Sequence, residues 1–527
     1  MKNDRRDFIK TAGLAGLSGF LLPVLAQQAD EKRSLYMNND QQKTPPKWDT
    51  VEDLVANRQA LADDPFRPLY HFSPPGFGLH DPAGLCYWKG KYHFFYLFSV
   101  PGVQWGRGHA VSDDMVHWRD LPMLPKSISG GTGQVWADKD RVILGVAGDM
   151  AATASDPMLF EWTEQPVKSV HDNYIWREGE YYYMTRSNGD HGRDKTAGEI
   201  LRTKDITKEW EHMGNYLEDG LFTAPYSDFS CNNVLPIGKG KHLVLFFSHN
   251  AGPQYYIGTS DLKTHRFTIE KYQKMITGPV MRGCLHAPSG FVDPKGRCIG
   301  MWNIMESMLD DKFGGQDKGV ISLPYRMFLP EKERQVNGDI EINPLGIEPI
   351  EELKKLRFNP VKITNMDIPG NSEKILPGVK GRAMEIEAVI DPRKASQVGI
   401  RVLSSPDGRE QTTISLSNHG HNWPWRTLML DVSQSSLNPA AAGRTPETAR
   451  MSYLRDGDLL HLRIFIDRSI VEVFANGQLC LTLRAYPSLK NSTGVSVFTR
   501  GSDAKLVSLD AYQMRSIWPE LKSQEGR

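Results

Sequence analysis

This 527-residue chain lacks an excess of either charge, with Lys plus Arg and Asp plus Glu at 63 each. Such a balance offers no electrostatic means of recruiting nucleic acid or an anionic membrane, so neither is expected as a partner. Cysteine is scarce. The five thiols, Cys86, Cys231, Cys284, Cys298 and Cys480, show no CxxC spacing, and an odd number cannot all pair internally. A disulfide framework is therefore excluded, and mostly buried thiols are expected.

Apolar runs long enough to cross a bilayer are also missing beyond the N-terminus. There, MKNDRRDFIKTAGLAGLSGFLLPVLAQQAD places the pair Arg5-Arg6 before an apolar run from about Thr11, with the small residue Ala26 after Val24-Leu25. The pattern is that of a twin-arginine export signal, and its run is too short and too interrupted by Gly13, Gly16 and Gly19 for a membrane anchor. Residues 1–26 are set aside as this signal. The mature protein is expected to be soluble in the periplasm or outside the cell, with no membrane partner. Export of an already folded chain would fit free thiols, because folding then takes place in a reducing cytoplasm.

What the chain does have is aromatic side chains, 12 Trp, 18 Tyr and 21 Phe, which suit β-sheet cores and sugar-stacking surfaces. Five segments repeat one pattern of apolar strand, Gly/Lys/Asp turn and second apolar strand: GLCYWKGKYHFFY, QVWADKDRVILGVAG, YIWREGEYYYMTRS, VLPIGKGKHLVLFFSH and GFVDPKGRCIGMWNI. Each reads as a β-hairpin. Four are followed by an acidic turn and an aromatic strand, in VSDDMVHW, ASDPMLFEW, RTKDITKEW and TSDLKTHRF. Four-stranded units recurring in this order indicate an all-β fold opening with a five-bladed β-propeller.

Ile350, Leu353 and Leu356 suggest a short helix, and alternation such as Leu460, Leu462, Ile464, Ile466 before the Asn476-Gly477 turn indicates a C-terminal β-sandwich. The expected division is an extension over 27–65, a propeller over 66–345, a helical linker over 346–374, a sandwich over 375–517 and a tail over 518–527. The polar extension reads as a tether or a wrap over the propeller.

In a propeller the first strand of each blade lines the central channel. Asp81, Ser230 and His286 each lie eight residues before a hairpin turn, Asp172 six and Asp228 ten. If the hairpins superpose without a bulge, these even offsets bring all five to one pocket. Convergent carboxylates suit glycosidic cleavage, which needs an ionised carboxylate at the anomeric carbon and a protonated acid at the leaving oxygen, about 5 to 5.5 Å apart when configuration is retained. His80, Asp81, His171, Asp172 and His286 could also ligate a metal, but without HxH or HxxxH spacing neither a metal nor a cofactor is expected.

LHDPAGLCYWKGKYHFFY, WGRGHAVSDDMVHWRDLP, YYIGTSDLKTHRF, HAPSGFVDPKGR, and above all LRIFIDRSIVEVFANG with GVSVFTRG, resemble glycoside hydrolase family 32, the invertase, levanase and inulinase group. The resemblance implies a propeller and sandwich that hydrolyse β-fructofuranosides with retention and without a cofactor. It makes Asp81 the nucleophile, Asp172 the transition-state stabiliser and Trp105 an aromatic of the sugar pocket. Where the family has a Glu-Cys dipeptide whose Glu is the acid/base, this chain has Ser230-Cys231.

His80 and Ala83 replace two Asn, Leu97 replaces a Gln, His171 and Asn173 flank Asp172, and His286 stands at an aromatic position. Scaffold motifs are kept while sugar-contacting positions change. Two functions are expected on this basis. One is an exported glycosidase with altered glycone specificity, in which Asp228 or His286 supplies the proton and His80, His171, Ser230 and His286 contact the carbohydrate. The other is a carbohydrate-binding propeller that has lost catalysis.

Overall fold

A computed structural model describes residues 47–521 except 77, 101–102, 130–132, 147–149, 167–172, 187–197, 218–227, 279–283, 305–318, 332–334, 337–339, 342, 419–425, 440, 442–444, 452–453 and 520. Five antiparallel blades span 79–121, 135–166, 174–215, 230–274 and 285–349. Their first strands touch in a closed ring, blade 5 returning to blade 1. At Gly84 (φ +130°) blade 1 approaches blade 2 so closely that a Cβ would lie 2.3 Å from the Val135 side chain, which only glycine accommodates.

The repeated acidic turns have a local cause. Asp114, Asp156, Asp205 and Asp261 accept hydrogen bonds from the backbone N–H two residues on, at Val116, Met158, Thr207 and Lys263, in 2.8 to 3.1 Å bonds. An Asx turn thereby folds the third strand of each of the first four blades back into the fourth.

Two six-stranded antiparallel sheets form the sandwich. Its first strand is Arg357–Ile368, hydrogen-bonded to Ala504–Met514, so the sandwich begins inside the segment expected to be a helical linker. Pro360 hides this strand in the sequence. Proline cannot donate to a ladder, but here it sits on an edge strand at a register shift between Phe358 and Val361, where no donor is needed. The helix is only Glu351–Leu356, a 3-10 turn burying Leu353 and Leu356, and Gly346–Pro349 before it is the outer strand of blade 5.

The extension and the tail are also built into the fold. Thr50 caps the helix Val51–Ala60, whose Arg58 is fully buried in a bidentate pair with Asp120 (2.8 and 3.0 Å). The Arg58 guanidinium lies 3.2 Å from the ring centroid of Trp518, a buried residue of the expected tail. Thus the described part of the extension wraps blade 1 and is pinned there by the C-terminus.

Propeller and sandwich share one apolar core, and two fully buried carboxylates join them. Asp467 accepts the N–H groups of Leu69, Tyr70 and His71 (2.7 to 2.8 Å) and the His71 Nδ1–H (2.9 Å). Glu472 accepts the Leu323 N–H (3.1 Å) and the Tyr325 hydroxyl (2.7 Å) on blade 5, and lies 3.4 Å from His71 Nε2. Burial opposes charge on His71, but its hydrogen bonding to the two carboxylates and their charge outweigh burial and raise its pKa.

Removing one partner of a buried charge network leaves the rest uncompensated, so Asp467→Asn should destabilise the protein by about 3–5 kcal/mol in chemical denaturation. Because the folded pKa of His71 is raised, its stabilisation is complete below the unfolded value of about 6.5 and lost as pH rises through the folded value. His71→Gln should remove that dependence from the wild-type unfolding curve.

Candidate active site

Three first strands break register at the same place. His80 and Asp81 oppose Leu97, Cys231 and Asn232 oppose Phe246, and His286 and Ala287 oppose Asn303. The unbulged superposition expected from equal offsets is thereby corrected, since each first strand carries an extra residue. Such bulges re-aim side chains, so that sequence neighbours rather than alternate residues serve one site. In blade 4 the extra residue is accommodated by Cys231 at φ +50°.

Asp81 is buried, and three groups surround its carboxylate. Asn303 Nδ2 donates to Oδ1 (3.0 Å), His286 Nδ1 donates to Oδ1 (3.2 Å), and His80 Nδ1 lies 3.0 Å from Oδ2. The Asn303 amide is oriented by the Ala287 N–H, which donates to its Oδ1 (2.8 Å). His286 Nδ1 therefore faces two acceptors, Asp81 and that same oxygen (3.1 Å), and must carry the proton. Burial alone would raise the Asp81 pKa. Hydrogen bonds and charge from His286 and His80 overcome burial and hold it well below the usual carboxylate range.

Asp228, also buried, stands just before the first strand of blade 4. Its Oδ2 accepts from the Ser230 hydroxyl (2.6 Å) and lies 2.6 Å from His249 Nδ1, while its Oδ1 accepts the His249 backbone N–H (2.8 Å). Burial again opposes ionisation, yet the bonds from His249 and Ser230 bring its pKa down to about 2. Phe247 links the two clusters, with its ring centroid 3.8 Å from that of His286 and 5.2 Å from that of His249.

Asp81, His80 and His286 thus form one cluster, and Asp228 and Ser230 a second, separated by one aromatic ring. Asp172 and His171 lie outside the described residues. Trp105 lies in the strand Val103–Ser112, and its side chain is outside them too. No group of three or more His, Cys, Asp or Glu suited to a metal occurs among the described residues.

Asn303 and His249 escaped the sequence reading. Both stand where the second strand of a hairpin ends, in GMWNI and VLFFSH, which brings them level with the start of the first strand. A polar residue closing each second strand was the available signal.

Comparison with known proteins finds two family descriptions along the chain, "Glycosyl hydrolases family 32 N-terminal domain" over 71–137 and "Glycosyl hydrolases family 32 C terminal" over 352–513. A levanase of Bacillus subtilis is 26% identical, over 86% of this chain and 71% of the levanase. An insoluble β-fructofuranosidase isoenzyme of Arabidopsis thaliana is 24% identical, over 92% of this chain and 97% of its own. The crystal structure of fructan 1-exohydrolase IIa from Cichorium intybus shares the fold, with a TM-score of 0.71 at 21% identity, covering 86% of this chain and 98% of that one.

Asn303→Ala removes one donor from the Asp81 carboxylate and should raise its pKa. A carboxyl-carbon NMR titration, with the resonance assigned by its loss in Asp81→Asn, should show the midpoint moving to higher pH.

Proposed function

This chain belongs to glycosyl hydrolase family 32, and from that premise we propose that it is an exported glycoside hydrolase of the fructosidase type whose glycone differs from β-fructofuranose. The observation that carries the reading is the Asp81 carboxylate, buried and kept ionised by His286, Asn303 and His80. A carboxylate so held is suited to attack on an anomeric carbon and unsuited to donating a proton. Asp81 attacks, the glycosidic C–O bond breaks, and water later releases the sugar with its configuration retained. Asp172 stabilises the transition state, and Trp105 and His171 shape the sugar site.

The altered glycone is supported by the surroundings of Asp81. Leu97, buried opposite the His80–Asp81 bulge, stands where the resemblance calls for a Gln. An apolar side chain cannot pair a sugar hydroxyl that an amide would hold, and such unpaired groups discriminate strongly between substrates. Beside Asp81 the imidazoles of His80 and His286 offer a different hydrogen-bonding pattern.

A second reading, a carbohydrate-binding propeller without catalysis, is favoured by Ser230 at the acid/base position. For localisation, twin-arginine export is supported by Arg5-Arg6 and by five buried cysteines outside any disulfide.

Methyl and 4-nitrophenyl β-D-fructofuranosides, α-L-arabinofuranosides and β-D-galactopyranosides form a test panel for the purified protein. Turnover of at least one glycone is expected, and Asp81→Asn should reduce it on the order of 10⁴-fold, the scale on which losing one member of a catalytic set acts. Undiminished turnover by Asp81→Asn removes the nucleophile assignment. Sugar binding in calorimetry without hydrolysis by the wild type selects the binding module. Replacing Arg5 and Arg6 together by Lys should leave the protein in the cytoplasmic fraction.

A further inference from the structure

We propose that the end of the channel opposite Asp81 holds a second binding site, one that takes a neutral carbohydrate. The first strand of each blade runs along the channel. Asp81 lies near the start of Leu79–Trp88 and Tyr87 near its end, roughly 15–20 Å apart at the rise of an extended strand. At that far end a cavity of about 630 Å³ opens among all five blades, lined by Tyr87, Trp136, Trp176, Pro236 and Phe291 of their first strands. Its size falls within the roughly 300–1,000 Å³ of small-molecule sites. No residue of the Asp81 or Asp228 cluster lines it, so it stands apart from the catalytic reading above.

Aromatic rings make up part of the wall. Trp176 is half-buried and stacks on Tyr183, with ring centroids 5.6 Å apart and planes at 25°. Tyr87, also half-buried, meets Tyr92 edge-on (4.9 Å, 61°). Such rings, negative over their faces, attract the polarised C–H groups of a sugar. Beside Trp176 stand polar groups with hydrogen-bonding capacity to spare. Arg177 approaches Asp138 only at 3.6 Å and lies over the Tyr182 ring, 5.3 Å from its centroid. Its Nε and the Nδ1 of His242, level with Pro236 on the next blade, are buried without a hydrogen-bond partner among the described residues. Glu178 is exposed and forms no ion pair among the described residues.

The balance of these groups selects the ligand. Arg177 disfavours a cation and Glu178 an anion, and burial lowers the pKa of His242, so its imidazole adds no charge. Asp293, the other carboxylate of the wall, is already saturated: Oδ1 accepts the N–H groups of Lys295 (3.0 Å) and Arg297 (2.8 Å), and Oδ2 accepts Arg297 Nε (2.8 Å). A wholly apolar ligand would displace water from Arg177, Glu178 and His242 and pair none of them. A neutral molecule with hydroxyls on its edges and C–H groups on its faces satisfies both the rings and the polar side chains. That description is of a sugar.

The test labels the full-length protein with 5-fluorotryptophan and assigns the ¹⁹F resonances of Trp136 and Trp176 by their loss in Trp136→Phe and Trp176→Phe. The probes are the three methyl glycosides of the panel, sucrose and raffinose, titrated into the wild type and into Asp81→Asn, which limits turnover. At least one sugar should move both resonances saturably, and equally in the two proteins. Glu178→Ala and Arg177→Ala should each raise the Kd about tenfold, with the remaining ¹⁹F resonances in place as evidence of an intact fold. The site is overturned by any of three results: no saturable shift with any of the sugars, a Kd that neither alanine variant changes, or shifts that vanish in Asp81→Asn and so originate at the other end. Saturable shifts with tetramethylammonium and none with sugars would identify a cation cage and overturn the carbohydrate assignment. None of these outcomes touches the glycosidase reading, which the turnover panel decides separately.

Discussion

Everything at the channel depends on how two sandwich carboxylates hold the propeller shut. A ring of blades has a seam where its last unit meets its first. Here that seam joins chain from residues 69–72 to chain from 320–325, with the Ile321 N–H donating to the Phe72 carbonyl (2.9 Å). Asp467 collects the N–H groups on one side, Glu472 holds Leu323 and Tyr325 on the other, and His71 lies between them. The sandwich therefore acts as the fastener of the ring. The residues that do so occupy LRIFIDRSIVEVF, one of the segments that most closely resembles the family, and their burial explains why the motif alternates charge with apolar side chains there.

A fastened ring fixes where the first strands begin, and the bulges decide what they present. Blades 1, 4 and 5 each spend one extra residue at the same level, and the bulges of blades 1 and 5 carry His80, Asp81 and His286 of the Asp81 cluster. A carboxylate ringed by donors and a second carboxylate bound to a half-exposed imidazole are different electrostatic solutions. The first makes an anion that is ready to react. In the second, the charge is placed behind an imidazole ring, one aromatic ring away.

The propeller was legible because its information is local. Hairpin turns and the capping aspartates Asp114, Asp156, Asp205 and Asp261 act within a few residues, so their recurrence is visible in one dimension. Asp81 was legible for the same reason, through LHDPAG. Bulges were not, because register belongs to a pair of strands and only the partner reveals the extra residue. Nor was the pairing of His249 with Asp228, which lies 21 residues away. The strand Arg357–Ile368 was hidden by Pro360, which argues against a central strand but not against an edge. The contact of Trp518, placed in a tail, with Arg58, placed in a tether or wrap, was not legible, since neither carries any sign of a partner hundreds of residues distant.

The order of strands in the sandwich makes both domains depend on one strand. Ala504–Met514 lies second in its sheet, between Arg357–Ile368 and Ala383–Asp391. Beyond it, the Ile517 carbonyl accepts the Trp118 N–H of blade 1, and Trp518 covers Arg58. A chain cut before Ala504 lacks all of these partners. The sheet then has a gap beside its edge strand, and the helix that carries Arg58 has nothing to close against. Such a product would expose its own incompleteness to proteases.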